Sequence, residues 1–243
     1  MTEALFREDA QLRECEAMVL RADAQGVVLD RTVFYPLGGG QAGDRGELRL
    51  ADGTALQIAD TRKGSDPVEV LHLLAPGQED QLRHFAPGTM VKAQIDWERR
   101  SRHMRFHTAT HLLCALVPQQ VDGCSITADY ARLDFHMSEP LDKEALTQGL
   151  ARLVAAGHAV SHSWISDAEL DANPGLVRSM SVQPPRGSGR VRVLKIEGVD
   201  LQPCGGTHVS NTAEIGAVVV TKIEKKSAMT RRVVLGFAQA AEG

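Results

Sequence analysis

The chain has 243 residues, enough for one large domain or two modest ones, and its 43% hydrophobic and 24% charged content excludes a disordered or fibrous protein. A net charge of -4 argues against a uniformly basic nucleic-acid binder, although local basic patches remain to be sought. No run approaches the ~20 apolar residues of a membrane helix, the start Met1-Thr2-Glu3-Ala4-Leu5-Phe6 has no leader pattern, and four scattered cysteines form no disulfide framework; a cytoplasmic protein with no membrane partner is expected.

In chain order, short apolar runs come first: 17–20, 27–29, 48–50, 56–59, 68–73 and 90–95. Gly, Pro and Asp between them supply turn geometry at the close spacing of a small sandwich or barrel, so residues 1–95 are expected to form an all-β domain. At Asp96 the period changes. Met104, His107, Thr108, His111, Leu112 and Ala115 recur at helical intervals, with Asp96 able to cap the start and Pro118 to end it. A second helix is expected over 141–156 with Gly157 after it. A short third helix follows from the capping-box spacing of Ser166 and Glu169. Strands are expected at 131–135, 159–164, 191–196, 215–224 and 232–237, and a flexible loop at 183–189. Residues 96–243 therefore read as a mixed α+β domain, which makes the whole chain α+β.

His107 and His111 lie four apart on the first helix, so their imidazoles leave the same face one turn apart. Cys204 and His208 repeat that spacing in Pro203-Cys204-Gly205-Gly206-Thr207-His208, where two glycines let the backbone fold tightly behind the side chains. Two such pairs make a four-ligand set, and sulfur with imidazole points to zinc, one ion per chain. A zinc protease is excluded because Thr108 stands where its helix carries a catalytic glutamate.

The segments His107-Thr108-Ala109-Thr110-His111-Leu112-Leu113 and Cys204-Gly205-Gly206-Thr207-His208-Val209 together resemble the two signature motifs of the alanyl-tRNA synthetase editing domain and of the free-standing AlaX editing proteins. Residues Ala131-Arg132-Leu133-Asp134-Phe135 and Asn211-Thr212-Ala213-Glu214-Ile215-Gly216 resemble further stretches of that family. Phe34-Tyr35-Pro36-Leu37-Gly38-Gly39-Gly40-Gln41-Ala42-Gly43-Asp44 resembles the glycine-rich motif of its longer subgroup. The resemblance implies an N-terminal β-barrel before a metal-dependent editing domain. It also implies hydrolysis in trans of mischarged tRNA(Ala), chiefly the seryl and also the glycyl ester. No likeness to the synthetase's aminoacylation domain is visible in the sequence.

A pocket built for alanine cannot exclude glycine and rejects one added hydroxyl only about a hundredfold, so such an enzyme must recheck the product. Thr108, Thr127 and Gln41, with Gly39 and Gly40 allowing close approach, are the candidate substrate contacts. No catalytic side chain is assigned. Four protein ligands leave no open zinc position, which leaves three alternatives: a five-coordinate ion, a loosely held Cys204 replaced by a water of lowered pKa, or an ion that only positions the substrate. For tRNA contact the basic residues Arg99, Arg100, Arg102, His103 and Arg105 precede the metal helix face, and Lys222, Lys225, Lys226, Arg231 and Arg232 surround a C-terminal hairpin. Editing of Ser-tRNA(Thr) and a non-catalytic zinc-stabilised tRNA-binding module are the rival readings.

Overall fold

The computed structural model describes residues 2–66, 68–178 and 189–238; apart from Gly189, the loop expected at 183–189 lies outside them. The chain divides into two compact units, Met1–Gly38 with Ala42–Ser101, and Gly39–Gln41 with Arg102–Gly243.

The first unit is a closed barrel of six strands in the order Glu14–Asp23, Gly26–Leu29, Val70–Leu74, Ala55–Lys63, Gly46–Arg49 and Met90–Ile95. Closure follows from pairing on both edges: Glu14–Asp23 pairs antiparallel with Gly26–Leu29 on one side and Met90–Ile95 on the other. Alternate residues point inward, so Ala17, Val19, Leu29, Leu48, Leu56, Val91 and Ala93 fill the interior with Phe34 and Phe85. A four-residue helix α1, Glu79–Leu82, was not foreseen.

Helix α2, Trp97–Leu116, starts after Asp96, whose carboxylate accepts the Arg99 N–H at 3.0 Å. The division between units falls inside this helix, after Ser101, rather than at the expected 95/96 boundary. Its first turn is tied to the barrel: the Asp96 N–H donates to the Arg45 carbonyl at 2.7 Å, and Arg100 is fully buried against Asp44. This corrects the reading of Arg100 as a surface tRNA contact. Its guanidinium holds the Asp44 carboxylate and the carbonyls of Val33 (2.6 Å) and Ala10 (3.1 Å), while the same carboxylate accepts the Tyr35 N–H at 2.6 Å. A buried arginine spent in this way has nothing left to offer a phosphate.

The second unit holds a four-stranded antiparallel sheet in the order Val218–Ser227, Thr230–Phe237, Ala131–His136, Val121–Ile126, and a three-stranded one in the order Val160–Ser166, Arg190–Ile196, Asp200–Pro203. Gln41 extends the outer edge of the larger sheet by a parallel bridge to Ile126, and the Gly40 carbonyl accepts the Ile126 N–H at 2.7 Å. Helix α3, Lys143–Ala155, is capped by Asp142 and packs on Val218–Ser227; α4, Asp167–Ala172, carries the expected Ser166/Glu169 capping box. The expected α+β architecture, barrel first, is therefore the observed one.

Two strands of this unit were not expected. In Val121–Ile126 only the terminal residues are buried, which hides the strand period. In Asp200–Pro203 the pattern is inverted: Asp200 and Gln202 point inward and Leu201 is exposed. The strand expected from 215 begins at Val218, because Thr212–Ile215 forms a 3-10 turn capped by Asn211.

Candidate functional site

Helix α2 carries His107 and His111 on one buried face, with ring centroids 5.6 Å apart. The loop after strand Asp200–Pro203 brings Cys204 and His208 to the same place, and one ligand atom from each of the four residues lies within 4.8 Å of the others. The Cys204 Sγ is 3.2 Å from His208 Nε2 and 3.5 Å from His107 Nε2. Ligands at ~2.3 Å for sulfur and ~2.0–2.1 Å for nitrogen on a tetrahedral ion sit on edges of about this length. The cluster can hold one metal ion.

A ring of hydrogen bonds fixes the histidines for that task. The Gln41 carbonyl oxygen accepts the Thr207 N–H at 3.2 Å, so the His107 Nδ1 at 2.8 Å from it must be protonated. The Thr108 hydroxyl donates to the Met104 carbonyl and accepts the Val209 N–H, so its 3.2 Å contact with His208 Nδ1 is donated by the histidine. The His111 Nδ1 lies 2.8 Å from the Asp200 carboxylate. All three rings thus spend Nδ1–H on an anchor and turn the Nε2 lone pair toward the cluster, the arrangement that metal-binding histidines need.

Electrostatics agree. Burial would raise the Cys204 thiol, but its interactions with His107 and His208 outweigh that and hold the group well below its ordinary value. His208 is driven down, by burial first and His107 second. His111 goes the other way: burial pulls it down, yet Asp200 and Cys204 lift it to about 9.

Backbone packing is equally specific. A Cβ on Gly206 would lie 2.1 Å from the His107 Cε1, so only glycine lets the loop pass behind that ring. The loop's carbonyls at Cys204 and Gly206 accept from Arg192 at 2.9 and 3.1 Å. Gly40, at φ +84°, passes so close to Cys124 that a Cβ would meet its sulfur at 2.8 Å.

The structure brings His107, His111, Cys204, His208, Gln41 and Thr108 together. Gln41 is fully buried and bridges His107 to Thr207, donating to the Thr207 hydroxyl at 2.9 Å. Thr127 instead organises its own turn: its hydroxyl donates to the Tyr130 carbonyl and accepts from the N–H groups of Asp129 and Tyr130. Arg102 and Arg105 lie over the Phe237 ring, at 5.0 and 3.9 Å, with their Nε atoms on the carbonyls of Ala128 and Ile215. Arg231 is buried against the carbonyls of Ser138 and Ser227, and Arg232 is paired with Asp134; Lys222, Lys225 and Lys226 are exposed. Asp200, Thr207 and Arg192 were missed. The alternation of buried Asp200 and Gln202 around an exposed Leu201 was the one available signal, since polar residues on a strand's inner face must have partners there.

The family model described as the threonyl and alanyl tRNA synthetase second additional domain matches residues 191–234, and that of the class II (A) tRNA synthetases matches residues 3–99. The latter match falls on residues 3–99, where the sequence by itself suggested only the glycine-rich motif of the longer AlaX subgroup and no synthetase likeness. The alanyl-tRNA editing protein AlaX-M of Methanosarcina mazei is 33% identical over 100% of this chain and 99% of its own length. That of Saccharolobus solfataricus is 32% identical over 96% and 98%. The chain belongs to the AlaX-M family. The alanine–tRNA ligase of Pyrococcus furiosus is 33% identical over 99% of this chain, but only 26% of the ligase is covered. Among the described residues no helix is long and apolar enough to cross a membrane.

Proposed function

We propose that this protein is a trans-editing hydrolase of the cytoplasm that deacylates mischarged tRNA(Ala), chiefly Ser-tRNA(Ala) and also Gly-tRNA(Ala), with one zinc ion held by His107, His111, Cys204 and His208. The observation that carries the reading is the convergence of three Nδ1-anchored histidines and a thiolate in a chain that matches AlaX-M relatives end to end. One thiolate with three imidazoles suits zinc among the common biological ions. When bound, zinc supplies Lewis acidity beside the ester.

The chain's own residues set the rest. Gln41 and Thr108 hold His107 and His208 in register, and Gln41 retains one Nε2 hydrogen beyond its bond to Thr207, a donor for an added hydroxyl on the substrate. Gly39 and Gly40 form the backbone beside it, and Thr127 shapes the neighbouring turn. Water attacks the ester carbonyl, the bond to the ribose oxygen breaks, and free amino acid and deacylated tRNA leave. The acceptor end is held by Arg102 and Arg105 with Lys225 and Lys226 and, in smaller part, Arg99; Arg231, expected there too, is buried with its guanidinium on the carbonyls of Ser138 and Ser227 and is left out.

The test is ester loss from purified protein on Ser-, Gly- and Ala-tRNA(Ala) and on Ser-tRNA(Thr), with zinc measured in the same sample. Rapid loss of the seryl ester of tRNA(Ala), slower loss of the alanyl ester and stoichiometric zinc are expected. Preference for Ser-tRNA(Thr) would move the enzyme to the threonine system, and binding without ester loss would make it a non-catalytic module.

A further inference from the structure

From the contacts behind the metal cluster we infer that Asp200 is a positioning residue of the centre, one that sets how tightly the ion is held through His111. The inference rests on the metal reading above. Of the three groups that anchor the histidines, Gln41 and Thr108 are neutral and Asp200 alone is ionisable. Its side chain is fully buried, and a buried carboxylate is costly unless charge and hydrogen bonds meet it on every side. Here they do. One oxygen takes the His111 Nδ1–H at 2.8 Å, the Gln202 side-chain amide donates at 2.9 and 3.0 Å, and the Arg178 guanidinium stands 3.8 Å away.

The support is layered. Arg178 also donates to the Cys114 carbonyl of helix α2 at 2.7 Å, and its own carbonyl accepts the Val121 N–H at 2.9 Å. Arg178 therefore braces the carboxylate against the helix that carries His111. The inverted strand Asp200–Pro203 follows from the same demand, since both of its inward side chains belong to this network.

Charge gives Asp200 its specific role. A divalent ion with one thiolate and three neutral imidazoles leaves one unit of positive charge in a buried place, and a carboxylate one imidazole away cancels it. The carboxylate also keeps the proton on Nδ1 and makes Nε2 the better donor. A neutral anchor such as Gln41 or Thr108 fixes the ring and its tautomer but cannot cancel that charge.

The experiment compares the full-length parent with Asp200→Asn, which keeps shape and acceptor but loses charge, and with Asp200→Ala, which loses both. Zinc affinity is read by competition with a chromophoric chelator at fixed pH, the cobalt-substituted proteins are compared by visible absorption, and melting of the metal-free forms is recorded. Zinc affinity is expected to fall about tenfold in Asp200→Asn and up to about 100-fold in Asp200→Ala, with a shifted cobalt band. Variants that bind zinc within about threefold of the parent, whatever their melting temperature, overturn the inference and leave Asp200 a brace for its strand. A parent that binds no zinc overturns the metal reading and this inference with it.

Discussion

Two buried histidines, one in each unit, have opposite fates. His72 lies inside the barrel unit between the Val27 carbonyl, 2.9 Å from Nδ1, and the Thr32 hydroxyl, 2.9 Å from Nε2, with Phe34 edge-on to its ring. Burial pushes it down to about 4, and the Val27 contact recovers only part of that. His111 is buried as deeply, yet Asp200 and Cys204 raise it to about 9. Burial alone therefore does not define a functional histidine. Neutral partners on both nitrogens make His72 a structural member of the barrel, whereas one anionic anchor and one nitrogen turned into a His/Cys cluster leave His111 able to hold a metal ion.

The sharpest way to break this contrast is to remove each ring. His111→Ala should lower zinc affinity by more than about 100-fold, beyond the range for an outer contact, and should abolish ester hydrolysis while the protein stays folded. His72→Ala should leave zinc stoichiometry unchanged. Gly206→Ala tests the same site from behind, because its methyl group would occupy space held by the His107 ring, and it should lose zinc and activity together. Elemental analysis and single-turnover deacylation are the measurements. Full zinc occupancy in His111→Ala or Gly206→Ala would dissolve the contrast.

Next in size is the barrel unit's own ion pair. Asp44→Ala strands the buried Arg100 guanidinium and should cost about 3–5 kcal/mol in urea unfolding, the range for removing one member of a buried pair. A loss below about 1 kcal/mol would mean that water reaches Arg100 once its partner is gone.

How legible these features were depended on whether they were local. The barrel strands showed in the alternation and turn chemistry of the first 95 residues, and α2 showed in its cap and period, because those signals lie within a few residues of one another. The four residues of the His/Cys cluster were legible for the same reason: each pair repeats a spacing of four. Their anchors were not. Asp200 meets His111, 89 residues away on α2, only once the strand is packed against the helix, and Arg192 meets the Cys204 carbonyl only across the hairpin made by the strand that was not expected. Arg100 misled because a run of arginines ahead of the helix's histidines reads as a solvated basic face. Only the fold shows that this one turns inward to Asp44.

A pH measurement sharpens the comparison within the barrel. His72 has a folded value near 4 against 6.5 ordinarily, so between those limits the unfolded chain binds a proton that the native protein does not. Stability from this group is complete above pH 6.5 and drains away as pH falls toward 4, by up to about 3 kcal/mol at 1.36 kcal/mol per pH unit. His72→Gln should flatten that part of the stability curve. An unchanged slope between pH 4 and 6.5 would assign it to other groups.

The smallest effect expected is on tRNA binding, and it repeats the contrast on a single helix. Arg100 and Arg102 are two residues apart, yet the first is sealed inside the barrel unit while the second is partly exposed, with its Nε on the Ala128 carbonyl and its guanidinium over Phe237 beside Arg105. Tethering by Nε leaves the terminal nitrogens of Arg102 and Arg105 in a fixed orientation, which lowers the entropy lost on meeting a phosphate. Replacing each by glutamine should weaken tRNA binding modestly and reduce the slope of log K against log salt by about 0.7–0.9 for every phosphate no longer neutralised. Lys225→Gln and Lys226→Gln on the exposed hairpin give the comparison set. A slope that falls only in the lysine variants would move the acceptor end from α2 to the hairpin, and one that falls in neither would leave both basic segments as solvated surface.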